Sequence, residues 1–170
     1  IQVVLCAGAP DTPEIAAETE ALVEDLRSRR TGVVWISDFL SRGKIIQLLS
    51  CSTVFVTPSI YEPLGIVNLE AMAVGLPVVG TKTGGIPDCI EDGVTGTLVP
   101  IEQLDDGTGT PVHPEAFEAD LASALEDVCA DPEKARKMGA AGRKRVEDHF
   151  SWESIALKTM DFYRDVIAGL

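Results

Sequence analysis

Two glutamates, Glu62 and Glu70, are the residues whose type and spacing most strongly suggest chemistry. Glu62 lies in a short polar segment, and the proline that follows it disfavours helical geometry, so we expect an extended loop there. Glu70 lies in an amphipathic segment that begins at Gly65, and helical side chains lean back toward the start of their helix. The two carboxylates are therefore expected to face one cleft.

The elements that must position these acids are a strand predicted over 53–57 and a helix predicted over 65–74. The predicted inward face of this helix consists of Ile66, Leu69 and Met72. The start of a helix leaves backbone N–H groups without helical partners, and the helix dipole makes them attractive to anions, phosphates above all. Here those groups belong to Leu64, Gly65 and Ile66. Carboxylates beside a phosphate site suit a ligand with hydroxyl groups, such as a ribose or a hexose, so the arrangement predicts a nucleotide-sugar site.

A second glycine-containing loop follows a strand predicted over 77–80. Gly84 and Gly85 carry no side chains, so backbone N–H groups there can approach a ligand closely before the next helix begins. A plain turn without a binding role is the alternative. Bases near the predicted cleft are few, and Lys82 is the best placed of them.

Strands and helices are predicted to alternate through the first part of the chain, which is the pattern of a doubly wound parallel α/β sheet. The other predicted strands cover 2–7, 33–36 and 96–99, and the other predicted helices cover 12–30, 41–49, 86–90, 115–130, 132–148 and 152–168. On the first of these helices, Leu22 and Leu26 are expected to face inward. The acidic segment 101–114 has no periodicity, and we expect a solvated surface loop without a binding role.

Glu62 and Glu70 form an E-x7-E pattern within the run PSIYEPLGIVNLEAMAVGLPVV, which is followed by GGIPDCIEDGVTG. These motifs resemble those of the family-4 retaining glycosyltransferases, which have the GT-B fold, and the resemblance covers nearly the whole chain. Within that family, the segments AGAPDTPEI, RTGVVWI and YEPLGIVNLEAMA look most like the actinobacterial glycogen synthases, which transfer glucose from ADP-glucose to an α-1,4-glucan. The chain is therefore expected to be the C-terminal donor-binding domain of such an enzyme.

The resemblance implies a role for each candidate residue. Glu62 is the expected catalytic residue, which holds the hydroxyls of the transferred sugar, and Glu70 accepts from the ribose. In the family, the loop after the strand at 33–36 holds the base, which places Phe39 beside adenine; the alternative is that Phe39 packs under the next helix. The expected donor-binding residues are Phe39, Ser59, Leu64, Gly65, Ile66, Glu70, Lys82, Gly84 and Gly85.

The resemblance also implies a division of the chain. Residues 1–150 would form a nucleotide-sugar-binding, Rossmann-like domain that lacks its first strand and the Arg- and Lys-bearing phosphate loop, and 151–170 a C-terminal crossover helix. That helix would leave an apolar patch exposed around Trp152, Ile155 and Phe162. The α-glucan acceptor would bind through an N-terminal domain outside this sequence, so the isolated chain is expected to bind donor weakly and to lack turnover.

Three other functions remain open from the sequence. An α-maltose-1-phosphate synthase would use the same donor with a different acceptor, and another family-4 transferase would use a UDP or GDP sugar. A nucleotide-binding module that has lost its chemistry belongs to a different class. The presence of both Glu62 and Glu70 argues against such a module, because desolvated carboxylates are costly when unpaired.

Composition excludes several classes of function. The chain has 170 residues and a net charge of −13, from 27 acids against 14 bases, which argues against a nucleic-acid partner. No apolar run is long enough to span a membrane, and we expect a cytoplasmic protein. The 4 cysteines form no C-x-x-C pair and the 2 histidines are isolated, so no metal or other cofactor is expected, and the nucleotide sugar is a substrate.

Overall fold

The computed structural model describes residues 1–6 and 12–169. The chain divides into two compact units, Ile1–Ile45 and a second unit that begins at Ile46. The predicted strand over 2–7 is present as a shorter strand, and its last residue, Ala7, lies outside the described residues. The predicted division at residue 150 stays a prediction. None of the helices in the described part of the chain combines the length and the hydropathy that a membrane crossing requires.

Strands and helices alternate as predicted. In the described residues the strands are β1 (Val3–Cys6), β2 (Val33–Ile36), β3 (Phe55–Thr57), β4 (Val78–Thr81) and β5 (Gly96–Val99). The helices are α1 (Pro13–Arg29), α2 (Arg42–Ser50), α3 (Ile66–Ala73), α4 (Ile86–Cys89), α5 (Pro114–Ala130), α6 (Pro132–His149) and α7 (Trp152–Ala168).

The first unit contains a parallel pair of strands, β1 and β2, with Val3 opposite Val33. Helix α1 begins where the sequence predicts, because the Thr12 hydroxyl accepts a hydrogen bond from the Ile15 N–H at 3.3 Å and caps the helix. The predicted inward face of α1 is partly wrong. Leu22 is 64% exposed, and the buried residue of this helix is Val23, because the covered side is rotated by about one residue from the predicted one.

The second unit is built on a parallel sheet in the order β3-β4-β5. All four residues of β4 are buried, and a core forms where α5 packs on this sheet around Val79, Val99 and Val128. The predicted α/β class with parallel strands is confirmed. Hydrogen bonds order the described strands as β1-β2 in the first unit and β3-β4-β5 in the second.

The predicted inward face of α3 is partly wrong. Its buried residues are Asn68, Ala71 and Met72. Ile66, which was expected inside, is 56% exposed. Met72 is buried as predicted, and α6 packs on it, since a β-carbon at Gly142 would lie 3.4 Å from Met72 Cγ. Asn68, which was not predicted to be inside, is buried where it accepts a hydrogen bond from the Thr57 hydroxyl of β3. The neighbouring elements therefore decide the buried face together with the apolar period.

Side-chain caps lie at the predicted starts of the C-terminal helices. Asp131 Oδ1 accepts from the N–H groups of Glu133 and Lys134 at the start of α6, and the Ser151 hydroxyl accepts from Ser154 N–H at the start of α7. None of the described residues of α7 is buried, and Trp152 is 90% exposed. The predicted exposure of an apolar patch on this helix is therefore confirmed.

Candidate functional site

The loop between β3 and α3 carries Glu62, whose carboxylate folds back onto the start of the helix. Glu62 Oε1 accepts hydrogen bonds from the backbone N–H groups of Gly65, at 2.9 Å, and Leu64, at 3.3 Å. A carboxylate is stabilised there because the N–H groups lack helical partners and the helix dipole is positive at this end. The acid expected to face the ligand thus also occupies two of the expected phosphate donors.

The predicted donors at the start of α3 therefore differ in availability. The N–H groups of Leu64 and Gly65 are engaged by Glu62, whereas the Ile66 N–H has no acceptor within residues 1–6 and 12–169. A phosphate would reach the Ile66 N–H directly and the other two only in exchange for the Glu62 carboxylate. Their role in donor binding stays a prediction.

Gly84 and Gly85 pack directly against the Glu62 loop. The Gly85 N–H donates to the Glu62 carbonyl oxygen at 2.8 Å. Gly84 has a φ of +52°, and a β-carbon there would lie 2.0 Å from the same oxygen, while one at Gly85 would lie 2.6 Å from the Pro63 carbonyl oxygen. Two glycines are needed so that the loops can touch. The close approach that the structure contains is to the protein's own loop, and an approach to a ligand stays a prediction.

A buried polar cluster of Thr57, Asn68 and Thr81 lies beside this loop, and the sequence analysis did not predict it. The Thr57 hydroxyl donates to Asn68 Oδ1, and the Thr81 hydroxyl donates to the Thr57 carbonyl oxygen at 3.3 Å. These three side chains connect the ends of β3 and β4 to α3. Asn68 is fully buried, so its hydrogen bond to the strand fixes the rotation of the helix about its axis.

Cys89 holds the same loop from α4. Its thiol donates to the Leu64 carbonyl oxygen, with Sγ and oxygen 3.2 Å apart. Burial raises the pKa of the Cys89 thiol, and the negative charge of Asp88 raises it further. The thiol therefore keeps the hydrogen that it donates. Cys89 is buried, whereas Cys6 and Cys51 are exposed.

The remaining predicted site residues are at or near the surface. Glu70 is exposed on α3, Lys82 is exposed directly after β4, and Ser59 is half-buried in the loop after β3. Lys82 has no acidic partner among the described residues. Phe39, in the first unit, is 84% exposed, so the alternative in which it packs under the next helix is wrong. Contact of these four residues with a donor stays a prediction.

Residues 102–112 are mostly exposed, as expected of a solvated surface segment, but they form a short hairpin that the sequence analysis did not predict. Two backbone hydrogen bonds join its arms, from Leu104 N–H to the Thr110 carbonyl at 2.9 Å and from Val112 N–H to the Glu102 carbonyl at 2.8 Å. At the tip, hydrogen bonds from the threonine two residues on lower the pKa of Asp106 by stabilising its charged form. The Asp106-Gly107 pair at the tip, where Gly107 has a φ of +78°, was the turn signal in the sequence.

The candidate site lies on an open surface of the second unit. Two clefts of the second unit, about 290 Å³ and 590 Å³ in volume, are lined by α7 and by the turn at 93–94 with the start of α6. None of the predicted site residues lines either cleft. Recognition at the loops around Glu62 would therefore rely on hydrogen bonds and charge at a shallow surface.

Comparisons with known proteins give consistent matches. The sequence profile of the family described as "Glycosyl transferases group 1" matches residues 29–145. The α-maltose-1-phosphate synthase of Mycolicibacterium smegmatis is 51% identical over 168 residues, which cover 99% of this chain and 41% of that protein. The glycogen synthase of Mycobacterium tuberculosis is 32% identical over 124 residues, which cover 73% of this chain and 27% of that protein. The first of these relatives is the more similar, which reverses the order that the sequence motifs suggested.

A solved structure gives the same picture for the fold. The sucrose-phosphate synthase of Thermosynechococcus elongatus superposes with a TM-score of 0.76 and 31% sequence identity, over 99% of this chain and 39% of that one. This chain thus spans less than half the length of the relatives and of the structure that it matches.

Proposed function

Because this chain belongs to the glycosyl transferases group 1 family, we propose that it is the donor-binding part of a retaining hexosyltransferase that makes α-maltose 1-phosphate. Its fold is that of the GT-B transferases. The proposed donor is ADP-glucose, and the acceptor is α-glucose 1-phosphate, since adding one glucosyl group to that acceptor gives the product. No metal or other cofactor enters the proposal.

The choice of product is supported by the extent of the similarity. The relative named α-maltose-1-phosphate synthase is 51% identical across nearly the whole chain, against 32% across a shorter stretch for the glycogen synthase. Synthesis of an α-1,4-glucan, the product first expected from the motifs, becomes the second candidate. An α-glucan acceptor, or a UDP or GDP sugar as donor, would be recognised by the same fold.

The observation that carries the donor site is the Glu62 carboxylate on the first N–H groups of α3. A carboxylate and a phosphate are both anions that accept from such groups. On the proposal, the donor diphosphate takes over the N–H groups of Leu64 and Gly65, and it adds that of Ile66. The displaced Glu62 carboxylate then accepts from hydroxyls of the glucose, and Glu70 accepts from the ribose.

The chemical step needs stabilisation of charge and no protein nucleophile. The bond from glucose C1 to the donor phosphate oxygen breaks, and a new bond forms from C1 to the acceptor hydroxyl oxygen. The proton of that hydroxyl passes to the leaving phosphate on the same face, so the α configuration is retained. Negative charge grows on the phosphate as the sugar ring becomes cationic. The N–H groups at the start of α3 stabilise the negative charge on the phosphate, and the Glu62 carboxylate stabilises the positive charge on the ring.

The overall charge of the chain makes local positive groups necessary. With a net charge of −13, the protein repels a nucleotide sugar at long range. The exposed Lys82, which follows β4, is the base that we propose to contact the diphosphate. In this family the acceptor is held by another domain, so we expect the isolated chain to bind donor weakly and to show no turnover.

A labelled-transfer assay tests the product. The longest natural protein that carries this sequence is given ADP-glucose labelled in the sugar, with either α-glucose 1-phosphate or glycogen as acceptor. We expect the label in maltose 1-phosphate, a rate lowered roughly 100-fold or more by Glu62→Gln, and no change from Glu118→Gln, an exposed acid on α5. Label in glycogen alone would favour the second candidate, and transfer that Glu62→Gln leaves unchanged would exclude the proposed role of Glu62.

A further inference from the structure

Gln103 makes three hydrogen bonds that join the 102–112 hairpin to both loops of the candidate site. Its Nε2 group donates to the carbonyl oxygens of Ile60, at 2.6 Å, and Gly109, at 2.7 Å. Its Oε1 atom accepts from the Thr83 hydroxyl at 3.4 Å. Ile60 lies two residues before Glu62, and Thr83 directly precedes the two glycines. One half-buried side chain therefore connects the hairpin to the Glu62 loop and to the glycine loop.

These contacts require a primary amide. Two carbonyl oxygens need donors and a hydroxyl needs an acceptor, and a glutamine side chain supplies both kinds of group. A glutamate of the same shape would place a carboxylate oxygen against two carbonyl oxygens. A methionine of similar length would leave all three groups without their partner, and polar groups left unpaired cost more than the bond that is lost.

We propose that Gln103 is a positioning residue for donor binding, which holds the 60–64 loop in the place from which Glu62 reaches the transferred sugar. The inference rests on the proposed function for the identity of the ligand. Gln103 acts through the loop and not by touching the donor. A loop held in place before binding needs less ordering when the donor arrives, so the donor binds more tightly.

Amide hydrogen exchange tests the contacts of the loop without a ligand. The reporters are the N–H groups of Gly65 and Gly85, which bond to Glu62, and the reference is Val79 in the core of the same unit. In Gln103→Met and Gln103→Glu, exchange at the two reporters should become roughly 10-fold faster while the reference is unchanged. Equal acceleration at all three amides would mean a loss of global stability only and would overturn the proposal.

Affinities for ADP-glucose and ADP separate positioning from general damage. Gln103→Met should weaken ADP-glucose binding about 10-fold, because both the sugar contact of Glu62 and the diphosphate contacts of the loop are disturbed, and should weaken ADP binding by a clearly smaller factor, because ADP has only the diphosphate contacts. Gln103→Lys keeps a donor for the two carbonyl oxygens but offers no acceptor to the Thr83 hydroxyl, so it should restore part of the protection of the loop amides that Gln103→Met loses. The matched control is Gln47→Met on the exposed surface of α2, which should alter neither measurement. Equal weakening of both ligands, or of neither, contradicts the proposal.

Failure of this inference can be distinguished from failure of the proposed function. If the longest natural protein that carries this sequence binds neither ADP-glucose nor UDP-glucose, the proposed function is wrong, and the exchange rates of Gly65 and Gly85 alone decide whether Gln103 holds the loop. If the wild-type chain binds ADP-glucose and those rates are the same in Gln103→Met, the positioning role is wrong and the proposed function stands.

Discussion

Replacing Gly84 by alanine is expected to disrupt the candidate site, and Gly93→Ala is its matched control. Both glycines have a positive φ, +52° and +73°, so alanine brings backbone strain of about 1–2 kcal/mol at either position. Their surroundings differ. A β-carbon at Gly93 would meet no atom within 4 Å, whereas one at Gly84 would lie 2.0 Å from the Glu62 carbonyl oxygen. The difference between the variants therefore isolates the contact with the Glu62 loop.

The size of that difference follows from the hydrogen bond that the Glu62 loop must lose and from the crowding by the added methyl group. The Glu62 carbonyl has to move by roughly 1–1.5 Å to reach ordinary contact distance from the new methyl group. This movement breaks the hydrogen bond from Gly85, worth about 0.5–1.5 kcal/mol, and overpacking adds about 1–3 kcal/mol. Gly93→Ala should thus lower the free energy of unfolding by about 1–2 kcal/mol and Gly84→Ala by about 3–6 kcal/mol.

Urea unfolding followed by far-UV circular dichroism measures both free energies, with equal m-values as the check that the variants unfold alike. Both glycines lie in the second unit, so the same transition reports on them. Gly84→Ala should also weaken ADP-glucose binding, because Glu62 is displaced, while Gly93→Ala should not. If the two variants lose the same free energy to within about 0.5 kcal/mol, the packing of the two loops is not what requires glycine, and the reasoning is refuted.

Three further predictions concern the supporting structure. Gly139→Ala should lower the free energy of unfolding by about 3 kcal/mol or more, because its methyl group would lie 1.9 Å from the Gly75 carbonyl oxygen. Gly43→Ala, with open space around it, should stabilise α2 by about 0.5–1 kcal/mol. Urea unfolding compares the two variants, and equal effects would contradict the close contact at Gly139. Arg145→Ala should lower the free energy of unfolding by about 2–3 kcal/mol, because the guanidinium donates to two carbonyl oxygens at the end of α4, at 2.9 Å each. If replacing an exposed arginine of α6 by alanine lowers the free energy of unfolding by as much, the two hydrogen bonds do not stabilise the fold. The pKa of Asp106 lies below its ordinary value of 3.8, so the hydrogen bonds at the hairpin tip are fully formed above pH 3.8 and are lost as the pH falls through the lower pKa of the folded state. An NMR titration of the Asp106 carboxyl carbon should find a midpoint below 3.8. A midpoint at or above 3.8 would contradict the contact with Thr108.

The elements of the fold were predictable because their signals are local. The caps Thr12, Asp131 and Ser151 fixed three helix starts, and apolar runs between turn residues fixed the strands. Which side of a helix is buried was less predictable, as Leu22 and Ile66 illustrate. The period of apolar residues indicates that a helix has an inner face, but the neighbouring helix decides which residues it covers.

The candidate site was predicted in its residues but not in its internal contacts. The motif around Glu62 identified the loop, and the glycine pair predicted a close approach of backbone to a ligand, which stays a prediction. The close approach in the structure is to the Glu62 loop itself, which follows the preceding strand. Gln103 could not be found, because its hydrogen-bond partners lie 20 and 43 residues away and no local pattern connects them.

An NMR titration of the chain with ADP-glucose, UDP-glucose and ADP tests the nucleotide-sugar site at the start of α3 most directly. It is repeated with Glu70→Ala and with Glu118→Ala, an exposed acid on α5 that controls for the lost charge. ADP ligands should shift the amide signals of Leu64 and Gly65 and bind more tightly than UDP-glucose. Glu70→Ala should raise their Kd about 10-fold or more, because a charged acceptor for the ribose is lost, and Glu118→Ala should leave it unchanged. If Glu70→Ala binds ADP ligands as tightly as the wild type, or if no ligand shifts these amides at millimolar concentration, the site is contradicted.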